Sequence, residues 1–276
     1  MGVFVALTIA TESVASERLL MSVWVFQFLA LIFARCLGTT LALPAWGGSN
    51  VSKPVRVLFA FLLMLIVFPV ISEECANITP LSDGKELVVF ICDVVGEVLL
   101  GVAIGLTLRI IFEGVYLAGE IIARVGGISV VGSFDHNLGD EISPISRLLY
   151  WISLAVFISI GGFELFVDGY IHSFIVIPIF EQFQPEQILD LILKTIFVSC
   201  ELAFKLAAPV IVSTLSVYVT VGLVGRVFPQ FNLMMFAFNI NALLTFLILT
   251  LVIGISCVCF KNSIIDYLEM IFYAEG

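Results

Sequence analysis

Two aspartates and two histidines are the residues of this sequence with the greatest capacity for catalytic chemistry. Asp93 and Asp168 could form an aspartyl dyad, in which two carboxylates share a proton and activate a water molecule. The residues that flank them add no support to this interpretation. His136 lies in a glycine-rich stretch typical of a turn, and His172 lies near the end of a predicted helix. These four residues give little support for an enzyme. A structural or transport function is favoured instead.

Short motifs of common catalytic sites are missing from the sequence. It contains no P-loop motif GxxxxGK[ST], no HExxH and no GxSxG. The 6 cysteines form no CxxC pair, and most of them lie in apolar stretches, where a thiol behaves as a small hydrophobic group. A disulfide framework and a zinc site are therefore not expected. We predict no enzymatic activity, no metal and no cofactor.

The composition places the chain among membrane proteins. Of its 276 residues, 61% are hydrophobic, whereas soluble domains have about 45–50% apolar residues. Only 12% are charged and the mean hydropathy is +1.18. The net charge of −10 comes without a run of basic residues. This excludes the usual electrostatic features of a nucleic-acid-binding protein and of a polybasic lipid-binding patch.

Charged residues nevertheless interrupt many of the apolar stretches. A charge at the centre of a bilayer costs roughly 2.5–3.5 kcal/mol even on lenient insertion scales, so these side chains need shielding. A long charged side chain near a helix end can reach the membrane surface and place its charge in water. For Arg109 and Arg124 this alternative is as good as burial against protein. Burial against protein is favoured for Arg35 and Glu97, which lie deep in long apolar stretches. The predicted buried charges are Arg35, Asp93, Glu97, Glu120, Arg124, Glu201 and Lys205.

The spacing of these charges predicts ion pairs within single helices. Residues four apart lie on one helix face, where opposite charges attract each other. Two further couples have like charges at the same spacing, Asp93 with Glu97 and Glu164 with Asp168, and need partners from elsewhere. The predicted opposite pairs are Arg109–Glu113, Glu120–Arg124 and Glu201–Lys205.

The elements that position these residues are predicted to be helices. We predict an all-α fold, a polytopic membrane-complex protein of long, partly broken helical hairpins, with residues 1–276 forming a single subunit. Pro69 is expected to end one helix, Pro209 to kink or break another, and Lys53 and Arg56 to place the first turn in the cytoplasm. The predicted helical stretches are 19–43, 57–70, 87–122, 147–166 (extending to 177), 188–224, 231–260 and a short amphipathic tail, 261–276.

Glycines mark two places of special interest. Gly101 and Gly105 form a GxxxG motif, which favours close helix packing; packing within the chain is favoured over a dimer interface. Residues 125–139 contain four glycines and are predicted to form a loop between helices.

An ordered set of sequence patches resembles the FliR family of bacterial flagellar export-gate proteins. The patches cover about nine-tenths of the chain. Each is weak alone, but their order and spacing are specific. They are Arg35 with Pro44 and the run Lys53-Pro54-Val55-Arg56, the run Gly96-Glu97-Val98-Leu99-Leu100-Gly101 extending to Gly105, Ala118-Gly119-Glu120-Ile121-Ile122 with Phe134-Asp135, Pro144 with Arg147, and Ala208-Pro209 with Gly222-Leu223-Val224-Gly225-Arg226-Val227-Phe228-Pro229-Gln230.

The resemblance implies a subunit of a protein-export gate in the bacterial inner membrane, at the flagellar basal body. Its implied partners are FliP- and FliQ-type gate subunits, FlhB- and FlhA-type export proteins, and the unfolded flagellar proteins that are exported. The glycine-rich loop, residues 126–134, would plug the closed pore; an ordinary interhelical loop is the alternative. Glycine makes such a loop pliable, and its apolar residues supply bulk. The implied plug residues are Gly126, Gly127, Ile128, Val130, Val131, Gly132 and Phe134.

Some positions depart from the family pattern. The family usually has Asp-Pro where this chain has Asp135-His136, Gly-His where it has Gly162-Phe163, and Phe-Pro where it has Phe238-Asn239. The related SctT-type subunits of virulence secretion systems carry an Asp-x-Gln-Arg-Gly-like run after the Ala-Gly-Glu element. Residues 123–127 read Ala-Arg-Val-Gly-Gly instead, which favours the flagellar branch. A small-solute transporter is a further alternative, but the inverted repeats typical of transporters are not found.

Overall fold

The described part of the chain is helical, in agreement with the predicted all-α class. The computed structural model describes residues 25–44, 52–74, 87–127, 143–179, 185–227 and 233–272. All regular secondary structure in these ranges is α-helical. The helices are α1 (Val25–Ala42), α2 (Lys53–Glu74), α3 (Leu87–Val125), α4 (Pro144–Ser159), α5 (Gly162–Val176), α6 (Pro185–Val227) and α7 (Leu233–Phe272).

The helices are long and apolar enough for a polytopic membrane protein. Five of those described, α1, α2, α3, α6 and α7, could each cross a bilayer, and α4 with α5 could form a sixth, bent span. Helices α3, α6 and α7 contain 39, 43 and 40 residues. At 1.5 Å per residue each is about 60 Å long, roughly twice the hydrocarbon thickness of a bilayer. Only part of each can lie in hydrocarbon.

The chain divides into two compact units. Among the described residues, the first unit contains α1, α2, the beginning of α3 up to Leu106, and the end of α5 from Ile171. The second unit contains the remainder of α3, α4, the beginning of α5, α6 from Leu189 and α7. Each unit has its own buried apolar residues.

Glycines allow α1 and α3 to pack backbone against backbone in the first unit. A methyl group added at Gly101 would overlap the carbonyl of Arg35, and one at Gly105 would overlap the carbonyl of Thr39. Gly38 on α1 fits equally closely against α3. The GxxxG motif therefore serves packing within the chain, as the sequence predicted.

An aromatic cluster forms the centre of the second unit. Phe112 of α3 is fully buried and contacts Phe157 of α4 and Phe260 of α7, with ring centroids 5.5 and 5.2 Å apart. The rings meet edge to face, a geometry that stabilises aromatic pairs beyond their buried area. Phe112 therefore joins three helices at one point.

The stretch predicted as one helix from 147 is two helices that meet at 70°. It begins earlier, at Pro144, which occupies the first turn after the N-cap Ser143. Ile160 caps the first of these helices, and the chain bends at the next residue, Gly161. Gly161 has φ +71°, a left-handed conformation that favours glycine. Apolar residues continue through the break, so the hydrophobic pattern alone did not reveal it.

Two other predicted boundaries are wrong, at Pro69 and after residue 260. Helix α2 continues past Pro69 to Glu74, and of the kink or break predicted at Pro209 the break does not occur, because α6 continues through this residue. A proline removes one helical hydrogen bond, and the many remaining bonds of these long apolar helices keep them intact. The predicted separate tail after residue 260 is the end of α7, which runs on to Phe272.

Candidate functional site

A buried ion pair joins α1 and α3 in the first unit. Arg35 Nε donates to Glu97 Oε2 at 2.5 Å, and the side chains are 1% and 8% exposed. The two residues are 62 positions apart in sequence. The glycine contacts between α1 and α3 flank this pair, because Gly101 lies one turn beyond Glu97 and packs against the Arg35 carbonyl. Close packing of the backbones thus brings the two side chains together.

The remaining donors of Arg35 are directed at the C-terminal end of α5. Nη2 donates to the Ile177 carbonyl at 3.1 Å, and Nη1 lies 3.4 Å from the Ser173 carbonyl. The guanidinium also lies over the Phe174 ring, 4.1 Å from its centroid. A cation is favourable at a helix C-terminus, where carbonyl groups lack helical partners. Arg35 therefore fixes α1, α3 and α5 together; we call Arg35, Glu97 and Phe174 the buried clamp.

A second carboxylate, Glu120, fastens the beginning of α4 in the second unit. Its Oε1 accepts hydrogen bonds from the Ser143 backbone N–H at 3.0 Å and from the Ser146 hydroxyl at 2.8 Å. Negative charge is stabilising at a helix N-terminus. Arg124 completes the predicted pair at 3.6 Å, but its side chain is 76% exposed. Glu120 is therefore held by α4 more than by Arg124.

Replacing Glu120 by glutamine should weaken the anchoring of α4. The amide keeps one oxygen that can accept the bonds from Ser143 and Ser146 but removes the negative charge that strengthens them, so we expect a loss of about 1 kcal/mol in stability. The measurement is the midpoint of thermal unfolding in detergent. Arg124→Gln, on the exposed side of the same pair, should change that midpoint little. Equal effects of the two variants would show that Glu120 does not anchor α4.

Other charges lie on the outside of the second unit. The predicted pairs Arg109–Glu113 and Glu201–Lys205 form, at 3.3 and 2.7 Å, but all four side chains are half-exposed within this chain. A further exposed pair with the same spacing, Asp190–Lys194 at 2.7 Å, was not predicted. Asp93 is half-buried on α3. Within the described residues, the fully buried ion pair is therefore Arg35–Glu97.

Two of the expected plug residues are described. Gly126 and Gly127 form the turn that follows α3, and Gly127 has φ 76°. Gly126 lies directly against Thr245 of α7, with no space for a larger side chain. The expected plug residues Ile128, Val130, Val131, Gly132 and Phe134 lie outside the described residues.

Several residues of these sites gave no signal in the sequence. Phe174 and the carbonyls of Ser173 and Ile177 are ordinary residues near a helix end, and only the fold brings them to Arg35. Ser143 was detectable, because a serine before Pro144 is typical of an N-cap. Within the described ranges no group of three or more His, Cys, Asp or Glu side chains could hold a metal ion. These contacts serve helix positioning.

Comparison with known proteins identifies the family. The profile of bacterial export proteins, family 1, matches residues 26–266. Flagellar biosynthetic protein FliR of Caulobacter vibrioides is 28% identical, with 80% of this chain and 86% of the relative covered. The FliR proteins of Bacillus subtilis and Aquifex aeolicus are 26% and 27% identical, with 86% and 95% of this chain and 90% and 96% of the relatives covered. The helical membrane chain described here therefore belongs to the bacterial export proteins of family 1, as its resemblance to FliR predicted.

Proposed function

We propose that this chain is a structural and gating subunit of the flagellar protein-export gate in the inner membrane, where it helps to form and to close the export pore. Membership of a bacterial export family and relatives named FliR support the first part of this proposal. The structural observation that supports the second part, closing the pore, is the turn at Gly126 and Gly127. This turn ends α3 at the start of the glycine-rich stretch. We assign the chain no catalytic turnover.

The outer surface of the second unit supports a location inside a protein complex. Helix α6 is about 64 Å long, and its first half carries two exposed ion pairs among exposed apolar side chains such as Leu193 and Phe197. Apolar side chains of this size are poorly suited to water, and the charges are poorly suited to lipid. A protein neighbour satisfies both requirements. We propose FliP- and FliQ-type subunits as these neighbours, with FlhA- and FlhB-type proteins in the same apparatus.

Co-purification tests this assembly. A gate subunit extracted in mild detergent should carry two other small membrane proteins in fixed ratio, and chromosomal deletion of its gene should abolish flagella. A small-solute transporter would purify alone as a folded, helical protein and its loss would leave flagella in place. Loss of virulence secretion with intact flagella would indicate an SctT-type subunit instead.

The pore-closing role rests on the segment that follows α3. Gly127 in the left-handed conformation turns the chain sharply out of the helix, and Gly126 is pressed against Thr245 of α7. The start of the segment is therefore fixed by packing. The apolar residues Ile128, Val130 and Phe134 that follow would supply the bulk of the plug.

Deleting residues 126–132 should make the assembled gate leak ions. The deletion removes both the fixed turn and most of the apolar bulk, so the closed pore would lose its obstruction. The measurement is the membrane permeability of cells that produce the variant, followed with a potential-sensitive dye. The control is co-purification of the variant with its partner subunits at the normal level. Unchanged permeability of a correctly assembled variant would contradict the plug assignment.

A further inference from the structure

The side of α7 that faces the end of α3 carries two buried polar side chains, Asn241 and Thr245. They are 1% and 0% exposed. Within the described part of the chain, the amide oxygen and nitrogen of Asn241 and the hydroxyl of Thr245 form no hydrogen bond. A buried polar group without a hydrogen bond lowers stability, and native proteins pair nearly all such groups. These three atoms therefore require a hydrogen-bonding partner.

The hydroxyl of Thr245 is oriented differently from those of the other threonines in α6 and α7. Each of the others donates to a carbonyl of its own helix, at 2.7 or 2.8 Å; they are Thr195, Thr214, Thr220 and Thr250. The Thr245 oxygen instead lies at Gly126, only 2.6 Å from the position that a Cβ atom there would occupy. Bonding within the helix is the usual arrangement for threonine. The exception indicates that the Thr245 hydroxyl serves a group beside the end of α3.

Helices α3 and α7 are antiparallel, which places Asn241 just beyond the end of α3. Phe260 of α7 contacts Phe112 of α3, whereas Thr245 contacts Gly126. Asn241 precedes Thr245 by one turn, on the same face of α7 and about 6 Å further along its axis. Helix α3 has ended at that level. The amide of Asn241 is therefore placed next to the point where the chain leaves α3.

The last turn of α3 supplies acceptors at this point. The final carbonyl groups of a helix lack partners within the helix. The Ile122 carbonyl accepts from the Gly126 N–H at 2.9 Å and keeps a second lone pair for another donor. Its oxygen is also 2.9 Å from the Cβ position at Gly126, so it lies near the Thr245 hydroxyl. Polar groups of α7 and carbonyl groups of α3 thus meet at the start of the turn.

Water suits these groups better than an ion does. The Asn241 amide presents both a donor and an acceptor, and the Thr245 hydroxyl can act as either. A cation would leave the amide nitrogen unpaired, and an anion would leave the amide oxygen unpaired, whereas one water molecule donates and accepts. Arg124 in the last turn of α3 adds positive charge that further disfavours a cation. Buried water molecules typically make about three hydrogen bonds with polar groups of this kind.

We propose that Asn241 and Thr245 bind an ordered water molecule, which bridges α7 to the carbonyl groups at the end of α3. The bridge fixes the point at which the chain leaves α3, at Gly126 and Gly127. Asn241 and Thr245 are then positioning residues, which act on the turn from a helix distant in sequence. This inference goes beyond the proposed function, because it holds whether or not the segment after Gly127 plugs a pore.

Backbone hydrogen exchange in the full chain, purified with its partner subunits, tests the bridge. Thr245→Val keeps the shape of the side chain and removes the hydroxyl, and Asn241→Leu removes the amide at similar volume. We expect the amides of Gly126 and Gly127 to exchange several-fold faster in both variants, measured by mass spectrometry of peptides that cover the end of α3. Thr214→Val is the matched control, because the Thr214 hydroxyl donates to its own helix. It should leave exchange at Gly126 unchanged.

Thr245→Ser separates hydrogen bonding from packing. Serine keeps the hydroxyl and lacks the methyl group, so we expect exchange at Gly126 close to that of the unaltered protein. Equal acceleration by serine and by valine would show that Thr245 acts through packing alone and would overturn the bridge. Unchanged or slower exchange in both Thr245→Val and Asn241→Leu would overturn it as well, since replacing an unpaired polar group by an apolar one stabilises its surroundings.

A high-resolution electron cryo-microscopy map of the assembled protein provides the direct observation. We expect an isolated density peak at hydrogen-bonding distance, about 2.7–3.2 Å, from the Asn241 amide and the Thr245 hydroxyl. The peak should be missing in the map of Thr245→Val. A protein group in that position, or no density there in the unaltered protein, would contradict the proposed water site.

Discussion

Glu97→Leu in a chain that retains Arg35 is expected to lower the stability of the first unit by about 3–5 kcal/mol, the usual cost of leaving one partner of a buried ion pair uncompensated. Arg35 is fully buried and holds the end of α5, so its charge cannot move to water without separating the helices. The measurements are the amount of the chain in the membrane fraction and the midpoint of its thermal unfolding in detergent.

Two controls separate the buried charge from a general effect of the substitution. The double variant Arg35→Met with Glu97→Leu should recover much of the lost stability, because apolar residues of similar volume often replace a buried ion pair well. Glu113→Leu, in an exposed pair on the same helix, should cost less than about 1 kcal/mol. A double variant as unstable as Glu97→Leu alone would show that the clamp acts through geometry and not through paired charge.

Gly101→Val should prevent the close packing of α1 against α3. A side chain at this position would overlap the Arg35 carbonyl and the Thr39 amide, both of them backbone atoms that cannot rotate away. Overpacking of a close contact costs about 1–3 kcal/mol and occasionally more. Because Arg35 is the residue displaced, the variant should also disrupt the ion pair to Glu97. The expected result is loss of the chain from the assembled complex, measured by co-purification.

Gly96→Val is the matched control on the same helix. A Cβ atom added at Gly96 would meet no atom within 4 Å, so the expected effect of the substitution is small. The two variants share the change in residue type and differ only in the space available. Equal loss of assembly in both variants would mean that helix propensity, and not close packing, explains the result. Normal assembly of Gly101→Val would contradict the described α1–α3 contact.

The membrane class, the all-α fold and the local ion pairs follow from the sequence by itself. An apolar composition and spacing of opposite charges by four residues are properties of a single helix, so no knowledge of other helices is needed. For this reason Arg109–Glu113, Glu120–Arg124 and Glu201–Lys205 could be predicted as pairs. The ordered patches also identified the family.

Helix boundaries were less predictable where the hydrophobic pattern continued. Apolar residues run through the bend at Gly161, and Pro69 inside α2 suggested a helix end that does not exist. A glycine in the left-handed conformation and a proline tolerated in a long helix both depend on the packing around them. Single-residue propensity therefore gave the wrong boundary in each case.

Only the tertiary structure decided which partners the isolated charges acquired. Arg35 meets Glu97 across 62 positions of sequence because glycines bring α1 and α3 into backbone contact, and it meets α5 because that helix ends beside it. Glu120 similarly holds α4 through Ser143 and Ser146. A sequence shows that a charge in an apolar helix needs a partner, because its desolvation is costly. Which group supplies that partner depends on how distant helices approach, and that is a property of the folded chain.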